Sequence, residues 1–203
     1  MTIDKKYVDQ IINVTSKAAI ASSFLVGKKD KIAADQAAVD SMRQELNKIN
    51  MTGEIVIGEG SLDEAPMLYT GEILGNNDGP EFDIAVDPLE GTNFAANNLP
   101  GALSVITIAE KDNLFKAPET YMNKIATAKV EKGLVDLDFS IKKNINNLAD
   151  YKNTDPSNLS ACILDRPRHK KMIEELKELK VKIKLITDGD VAGALLVTKP
   201  SYG

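Results

Sequence analysis

One cysteine, one histidine and no long apolar run set the outer limits of this chain. Cys162 alone excludes an internal disulfide and any multi-cysteine metal site, and its apolar neighbours make it a small core residue. No apolar stretch reaches the ~18 residues of a membrane span. Met1-Thr2-Ile3-Asp4-Lys5-Lys6 leads into a mixed polar pattern and not into a signal h-region, so the expected location is cytoplasmic, with no membrane partner. Positive charge is also short, with 25 Lys and Arg against 30 Asp and Glu; the net charge of −5 argues against a general nucleic-acid surface. There is no internal repeat and no low-complexity tract. What remains is ordinary globular composition in 203 residues, enough for one large domain or one and a half smaller ones.

The stretch Ile84-Ala85-Val86-Asp87-Pro88-Leu89-Glu90-Gly91-Thr92-Asn93 carries the strongest local signal. Its apolar start suits a buried strand. Pro88 cannot donate a ladder hydrogen bond, so the strand is expected to end at Asp87. Asp87 and Glu90 then fall on a turn at a strand's C-terminal end, where α/β folds place ligand sites. Gly91 permits an unusual backbone angle or a close ligand approach, and Thr92 and Asn93 are residues that start helices. An isolated D-x-x-E reads best as a polar turn between core strands; the whole string, with a strand before it and a hydroxyl after, favours a metal-assisted phosphate site.

In chain order, Asp4 is expected to cap a helix running to about Gly27, and a second helix fits 33–50. Residues 54–57 read as a short buried strand ending at Gly58-Glu59-Gly60, so Glu59 repeats the position of Asp87, an acid just past a strand. Residues 75–80 suit a hairpin loop or a mobile flap. A strand is expected over 103–109 and another within 130–139, with 118–128 ambiguous. From about Asn153 the pattern becomes β-α-β-α: a strand over 159–164, a charged amphipathic helix over 170–179, a strand over 181–186 and an apolar helix from Val191. That order implies a parallel sheet with helical crossovers.

Four acids fall where they could converge: Asp35, Glu59, Asp87 and Glu90. Without histidine or cysteine nearby they favour Mg²⁺ or Mn²⁺ over zinc, and several such carboxylates stay ionised together only with a cation between them. Thr92 can orient a water or hold a phosphoryl oxygen, and Asp63 or Glu64 can help deprotonate it; an acid pair at a helix start is the equal alternative for the latter two. Lys28, Lys29 and Lys31 are either a solvated helix end or a phosphate contact. Arg166-Pro167-Arg168-His169 follows a strand end and makes a phosphate or carboxylate clamp, with His169 a helix-start residue. Asp188-Gly189-Asp190 follows the next strand end, as acceptors for sugar hydroxyls or as a helix cap. A clamp plus hydroxyl acceptors, facing a metal–phosphate site, describes a phosphorylated sugar with a second phosphate.

These pieces carry a family resemblance. Asp87-Pro88-Leu89-Glu90-Gly91-Thr92 is similar to the D-P-[LI]-[DE]-G-T signature of the lithium-sensitive, metal-dependent sugar phosphatases. Asp30-Lys31 with Ala34-Asp35, the segments 55–60, 63–69 and 83–92, Ala117-Pro118 with Tyr121-Met122, Pro167-Arg168-His169 and 188–192 together resemble the bacterial class II fructose-1,6-bisphosphatases over nearly the whole chain. The resemblance implies metal ligation by Asp35, Glu59, Asp87 and Glu90, with Mn²⁺ or Mg²⁺ as cofactor. It implies substrate contacts at Glu90, Gly91, Thr92, Tyr121, Arg166, Pro167, Arg168, Asp188, Gly189 and Asp190, with Lys31 near the phosphate and Thr92 assisting attack by water. The implied reaction releases the 1-phosphate of fructose 1,6-bisphosphate in gluconeogenesis, with sedoheptulose 1,7-bisphosphate a further substrate of some relatives. The alternatives are an inositol-phosphate-type monophosphatase and, for these residues alone, a non-catalytic remnant that binds metal or sugar phosphate. The implied fold is α/β: an α+β N-terminal half and an α/β C-terminal half in a layered αβαβα sandwich. Residues 1–155 are then the metal-carrying domain and 156–203 the start of a substrate-binding domain, and a homo-oligomer, dimer or tetramer, is expected. Family members are expected to continue for roughly a third of their length past Tyr202-Gly203, with a glycine-rich segment and a further acidic ligand.

Overall fold

In the computed structural model, which describes residues 3–60, 67–118, 120–128 and 130–198, Asp4 accepts the Lys6 N–H at 2.9 Å and caps helix α1, Lys5–Ser23. Asp30 caps α2, Lys31–Leu46, through the Ala33 N–H, so α2 starts two residues before and stops four residues short of the expected 33–50. Strand β1 (Thr52–Ile57) pairs with the short β2 (Ile73–Leu74) on one side and in parallel with β3 (Glu81–Glu90) on the other; β4 (Leu103–Glu110) runs antiparallel to β3. The sheet order is β2-β1-β3-β4.

Alternation along β3 turns Phe82, Ile84 and Val86 toward α1 and α2, where they meet Val14, Ala18, Ala38, Met42 and Leu46. Tyr7 of α1 stands edge-on to Phe82 with ring centroids 5.0 Å apart and donates its hydroxyl to the Asn50 carbonyl at 3.1 Å. Met42 and Leu46 are fully buried; truncating either to alanine is worth about 2–5 kcal/mol. This core fixes the edge of the sheet from which the acids project.

Two expectations here change. Strand β3 does not end at Asp87 but continues through Pro88 to Glu90, with the register against β4 shifting between Asp87 and Glu90. A bulge of that kind leaves a residue outside the ladder, so the missing N–H of Pro88 costs no sheet bond. Residues 75–80 are neither hairpin loop nor flap. They cross from β2 to β3 along the α2–β1 connection and bind to it, with Gly75 N donating to Asn47 Oδ1 and Asn77 N to the Met51 carbonyl, each at 3.1 Å.

The chain divides into two compact units, 1–119 and 120–203. The division precedes the expected boundary after residue 155, and helix α4 (Ile141–Tyr151) is the reason. Its Ile141, Ile145, Leu148 and Ala149 pack with Leu159, Leu176, Val181 and Ile183, all of the second unit. No strand lies among the described residues of 130–139, which form turns ahead of α4. In the second unit β5 (Ser160–Leu164) and β6 (Lys182–Ile186) pair in parallel, joined by α5 (Lys170–Glu178) and followed by α6 (Asp190–Leu195). Ala161 and Ile183 face the α4–α5 side. On the opposite face a Cβ at Gly193 of α6 would come within 3.0 Å of Ile186 and 3.5 Å of Cys162 Sγ, so glycine lets α6 lie close on the sheet. Helices therefore cover both faces, as a parallel pair requires. The expected α/β class holds at the level of helices with mixed and parallel sheets.

Candidate functional site

The acids meet because of strand register. Ile57 of β1 pairs with Ala85 of β3, and the two strands are parallel. Two residues further along each chain segment come Glu59 and Asp87, side by side just past the last β1–β3 pair. Gly58 makes the approach possible: a Cβ there would run into the Leu68 carbonyl, and the Glu59 N–H donates to that same carbonyl at 2.9 Å. The bulge in β3 then carries Glu90 back beside Asp87, with which it shares a hydrogen bond. Gly91 follows with φ +79°, a left-handed angle at which a side chain is strained, and turns the chain into the five-residue helix α3, Thr92–Ala96, with Thr92 half-buried at its start. The loop between α1 and α2 is tied to α3, since Gly27 N donates to the Ala95 carbonyl and Lys29 N to the Ala96 carbonyl, both at 2.9 Å. That tie brings the first turns of α2, and with them Asp35, to the same place.

The electrostatics show the convergence directly. Burial pushes Asp35 up from its ordinary value. Burial, and then the charges of Asp35 and Glu90, push Glu59 up to about 7. Burial, the hydrogen bond to Glu90 and the charges of Glu59, Glu90 and Asp35 push Asp87 up to about 8. A hydrogen bond between two carboxyl groups requires a proton on one of them, so without a cation the set relieves its repulsion by protonation. Asp35 Oδ1, Glu59 Oε2 and Asp87 Oδ1 are buried without a hydrogen-bond partner. Among the described residues, no three Asp, Glu, His or Cys side chains are arranged as a ready-made metal site. Ligand atoms that repel one another draw to a common point only when a cation balances them, and the donor set, all carboxylate oxygen, fits a hard divalent ion. Asp83, also buried, is not part of this set: desolvation pushes it up, but backbone N–H groups of Leu114, Asp112 and Asn113 hold it below the ordinary range.

The second unit repeats the geometry with different chemistry. Leu164 of β5 pairs with Ile186 of β6, and two residues beyond each lie Arg166 and Asp188. Pro167, Arg168 and His169 form a 3-10 turn. His169 donates Nδ1–H to the Leu164 carbonyl at 2.8 Å, a structural use. Gly189, with φ +71°, starts α6. The Arg168 guanidinium lies over the Tyr121 ring at 4.3 Å from its centroid, although Tyr121 is 84 % exposed. Lys124 donates to Asp190 Oδ2 at 2.6 Å. The irregular segment around 121–124 is thus held against both strand ends. Sequence reading missed Lys124: it carries no motif, and only its ion pair marks it.

Of the remaining expected residues, Lys31 is exposed at the start of α2, and Asp63 lies outside the described residues.

A family model described as bacterial fructose-1,6-bisphosphatase, glpX-encoded, matches residues 5–203. The chain belongs to that family. It is similar to the D-fructose 1,6-bisphosphatase class 2/sedoheptulose 1,7-bisphosphatase of Synechocystis sp., 46 % identical over 198 residues, which is 92 % of this chain and 57 % of the relative. The protein of the same name from Prochlorococcus marinus is 45 % identical over 193 residues, 95 % of this chain and 58 % of the relative. The chain therefore spans a little under three-fifths of the length of these relatives. No helix among its described residues is long and apolar enough to cross a membrane.

Proposed function

We propose that this chain carries the metal site and part of the substrate site of a sugar-bisphosphate phosphatase, which releases the 1-phosphate of fructose 1,6-bisphosphate to leave fructose 6-phosphate. The observation that carries the reading is the set of three orphaned, buried carboxylate oxygens on Asp35 of α2 and on Glu59 and Asp87, just past the last β1–β3 pair, in a chain of this family. Asp35, Glu59, Asp87 and Glu90 are the ligands for Mn²⁺ or Mg²⁺. Such a cation supplies Lewis acidity toward a phosphoryl oxygen and makes a water nucleophilic near neutral pH. Thr92, half-buried beside the acids, would orient water or a phosphoryl oxygen through its hydroxyl, and Asp63 or Glu64 would serve as proton acceptor. Lys31 attracts the phosphate to the site.

The second unit holds the rest of the sugar. Arg166 and Arg168 clamp the far phosphate, Tyr121 backs Arg168, and Asp188, Gly189 and Asp190 accept sugar hydroxyls. The arginine pair favours a bisphosphate over an inositol-phosphate-type substrate. The names of the Synechocystis and Prochlorococcus relatives include sedoheptulose 1,7-bisphosphate, which supports that sugar as a second substrate. In the layered sandwich proposed for the whole protein, the N-terminal part supplies the metal and the C-terminal part the sugar pocket.

The test is phosphate release from fructose 1,6-bisphosphate with Mn²⁺, Mg²⁺ or EDTA, on the chain and on a version extended to the relatives' length. Release that needs metal and is abolished in Asp87→Asn supports the reading. Release that survives both EDTA and Asp87→Asn contradicts it.

A further inference from the structure

Arg43 shares a row of α2 with Asp35, at steps of four through the buried Val39. Two turns of helix, about 12 Å, separate the two residues. The guanidinium is engaged away from the acid cluster: Nε donates to Glu72 Oε1 at 2.7 Å, and Nη2 donates to Glu72 Oε2 at 3.1 Å and to the Met67 carbonyl. The Glu72 side chain is 11 % exposed, so this two-pronged pair is largely out of water. The segment 67–72 is thereby a brace between two elements. On one side α2 holds it through Arg43. On the other it is bonded to β1 and to the residues just past it. Ile55 N donates to the Glu72 carbonyl at 2.9 Å, Gly71 N to the Ile55 carbonyl at 2.7 Å, and Glu59 N to the Leu68 carbonyl at 2.9 Å. Leu68 itself is fully buried. The helix of Arg43 thus carries Asp35, and the brace that Arg43 grips carries the acceptor that sets the Glu59 backbone.

We infer that Arg43 is a positioning residue that fixes the spacing of Asp35 and Glu59, and through that spacing sets which divalent cation the acid cluster prefers. The inference rests on the proposed reading of these acids as cation ligands. The charge of Asp35 bears on Glu59, so the two side chains repel, and their backbones need an independent tie to stay at one distance. Mg²⁺ demands near-ideal octahedral geometry, whereas the larger Ca²⁺ accepts more oxygens in looser arrangements. A rigid ligand frame therefore favours the smaller ion, and a loosened frame gives that preference up. Two plainer roles for Arg43 predict something else. A charge acting through space has the opposite sign, because deleting a positive group helps every cation. A role confined to stability lowers Tm and leaves the affinities of the folded chain alone.

The test is calorimetric titration of the metal-free chain with Mg²⁺ and, separately, with Ca²⁺, at a temperature where circular dichroism shows each variant folded. Arg43→Met is expected to weaken Mg²⁺ binding about 10–100-fold, the scale of losing an outer partner of a metal site. Ca²⁺ binding should weaken less, so the ratio of the Mg²⁺ to the Ca²⁺ dissociation constant is expected to rise about tenfold. Arg43→Lys keeps the charge but not the planar fork. It is the second variant should Arg43→Met fail to fold, and its ratio should move the same way by a smaller factor. Asp87→Asn, run alongside, should abolish binding of both ions. If it does, while both Arg43 variants hold the ratio within about twofold of the unsubstituted chain or Arg43→Met tightens either ion, the inference is overturned and the cation site stands. Binding that is absent, or that Asp87→Asn leaves unchanged, overturns the cation-site reading and this inference with it.

Discussion

The two units of this chain use one geometry for opposite electrostatic ends. In each, the parallel pairing of two strands ends at one level, and the second residue past the last pair carries a charge: Glu59 and Asp87 in the first unit, Arg166 and Asp188 in the second. The first pair is half-buried, of one sign, and has orphaned oxygens. The second unit mixes signs and satisfies itself, with Arg168 on Tyr121 and Lys124 on Asp190. The first cluster needs positive charge from outside, whereas the second trades existing contacts for a ligand's. Cation binding should accordingly depend on the first unit, and substrate affinity should be tuned by the second.

The largest effect expected is at Asp87. Asp87→Asn keeps shape and removes the charge of a proposed ligand, and on the proposed function phosphate release is expected to fall by about 10²–10³-fold or more, the scale of losing one group that stabilises developing charge. A fall of less than about tenfold would place the metal elsewhere.

Arg168→Ala sharpens the contrast. Losing one charge-assisted phosphate contact should raise KM for the bisphosphate roughly 10–100-fold while kcat changes little, and discrimination against monophosphates should drop with it. Unchanged selectivity would remove the second unit from substrate binding.

Stability in the absence of metal should separate the units again. Burial raises Glu59 to about 7 and Asp87 to about 8, above their values in the unfolded chain. The folded state then holds more protons across that window, so the metal-free chain is fully stabilised at low pH and loses stability as pH rises toward 8. Thermal melts should show Tm falling from pH 6 to pH 8, Asp87→Asn flattening the fall, and Mn²⁺ reversing it. A Tm that rises over that range without metal would contradict the account of the acid cluster.

The smallest effect is at Lys124. Its ion pair with Asp190 is solvent-exposed, and such pairs are worth about 0–1 kcal/mol. Lys124→Ala should move KM by no more than about fivefold and leave kcat and the metal dependence of the reaction alone.

The sequence exposed the elements with clear period or punctuation. Asp4 capping α1, the β5-α5-β6-α6 alternation and the acids of the central string all have local signatures, and the chain folds them close to the expected limits. Helix α4 escaped because Asn144, Asn146 and Asn147 lower its local propensity; its apolar positions 141, 145, 148 and 149 count only once α5 is there to receive them. Pro88 argued for a strand end, and a bulge overrode it. That Glu59 lies beside Asp87 follows from the register of β1 on β3, which periodicity does not encode. Lys124 acts across 66 residues on Asp190, a pairing with no local trace.

The most direct measurement is calorimetric titration of the metal-free chain with Mn²⁺ at pH 7 in buffers of different ionisation heat. The acid cluster should bind Mn²⁺ with release of protons, should lose that binding in Asp87→Asn and should keep it in Arg168→Ala. Binding without proton release, or binding untouched by Asp87→Asn, would contradict the claim that these four carboxylates form the cation site.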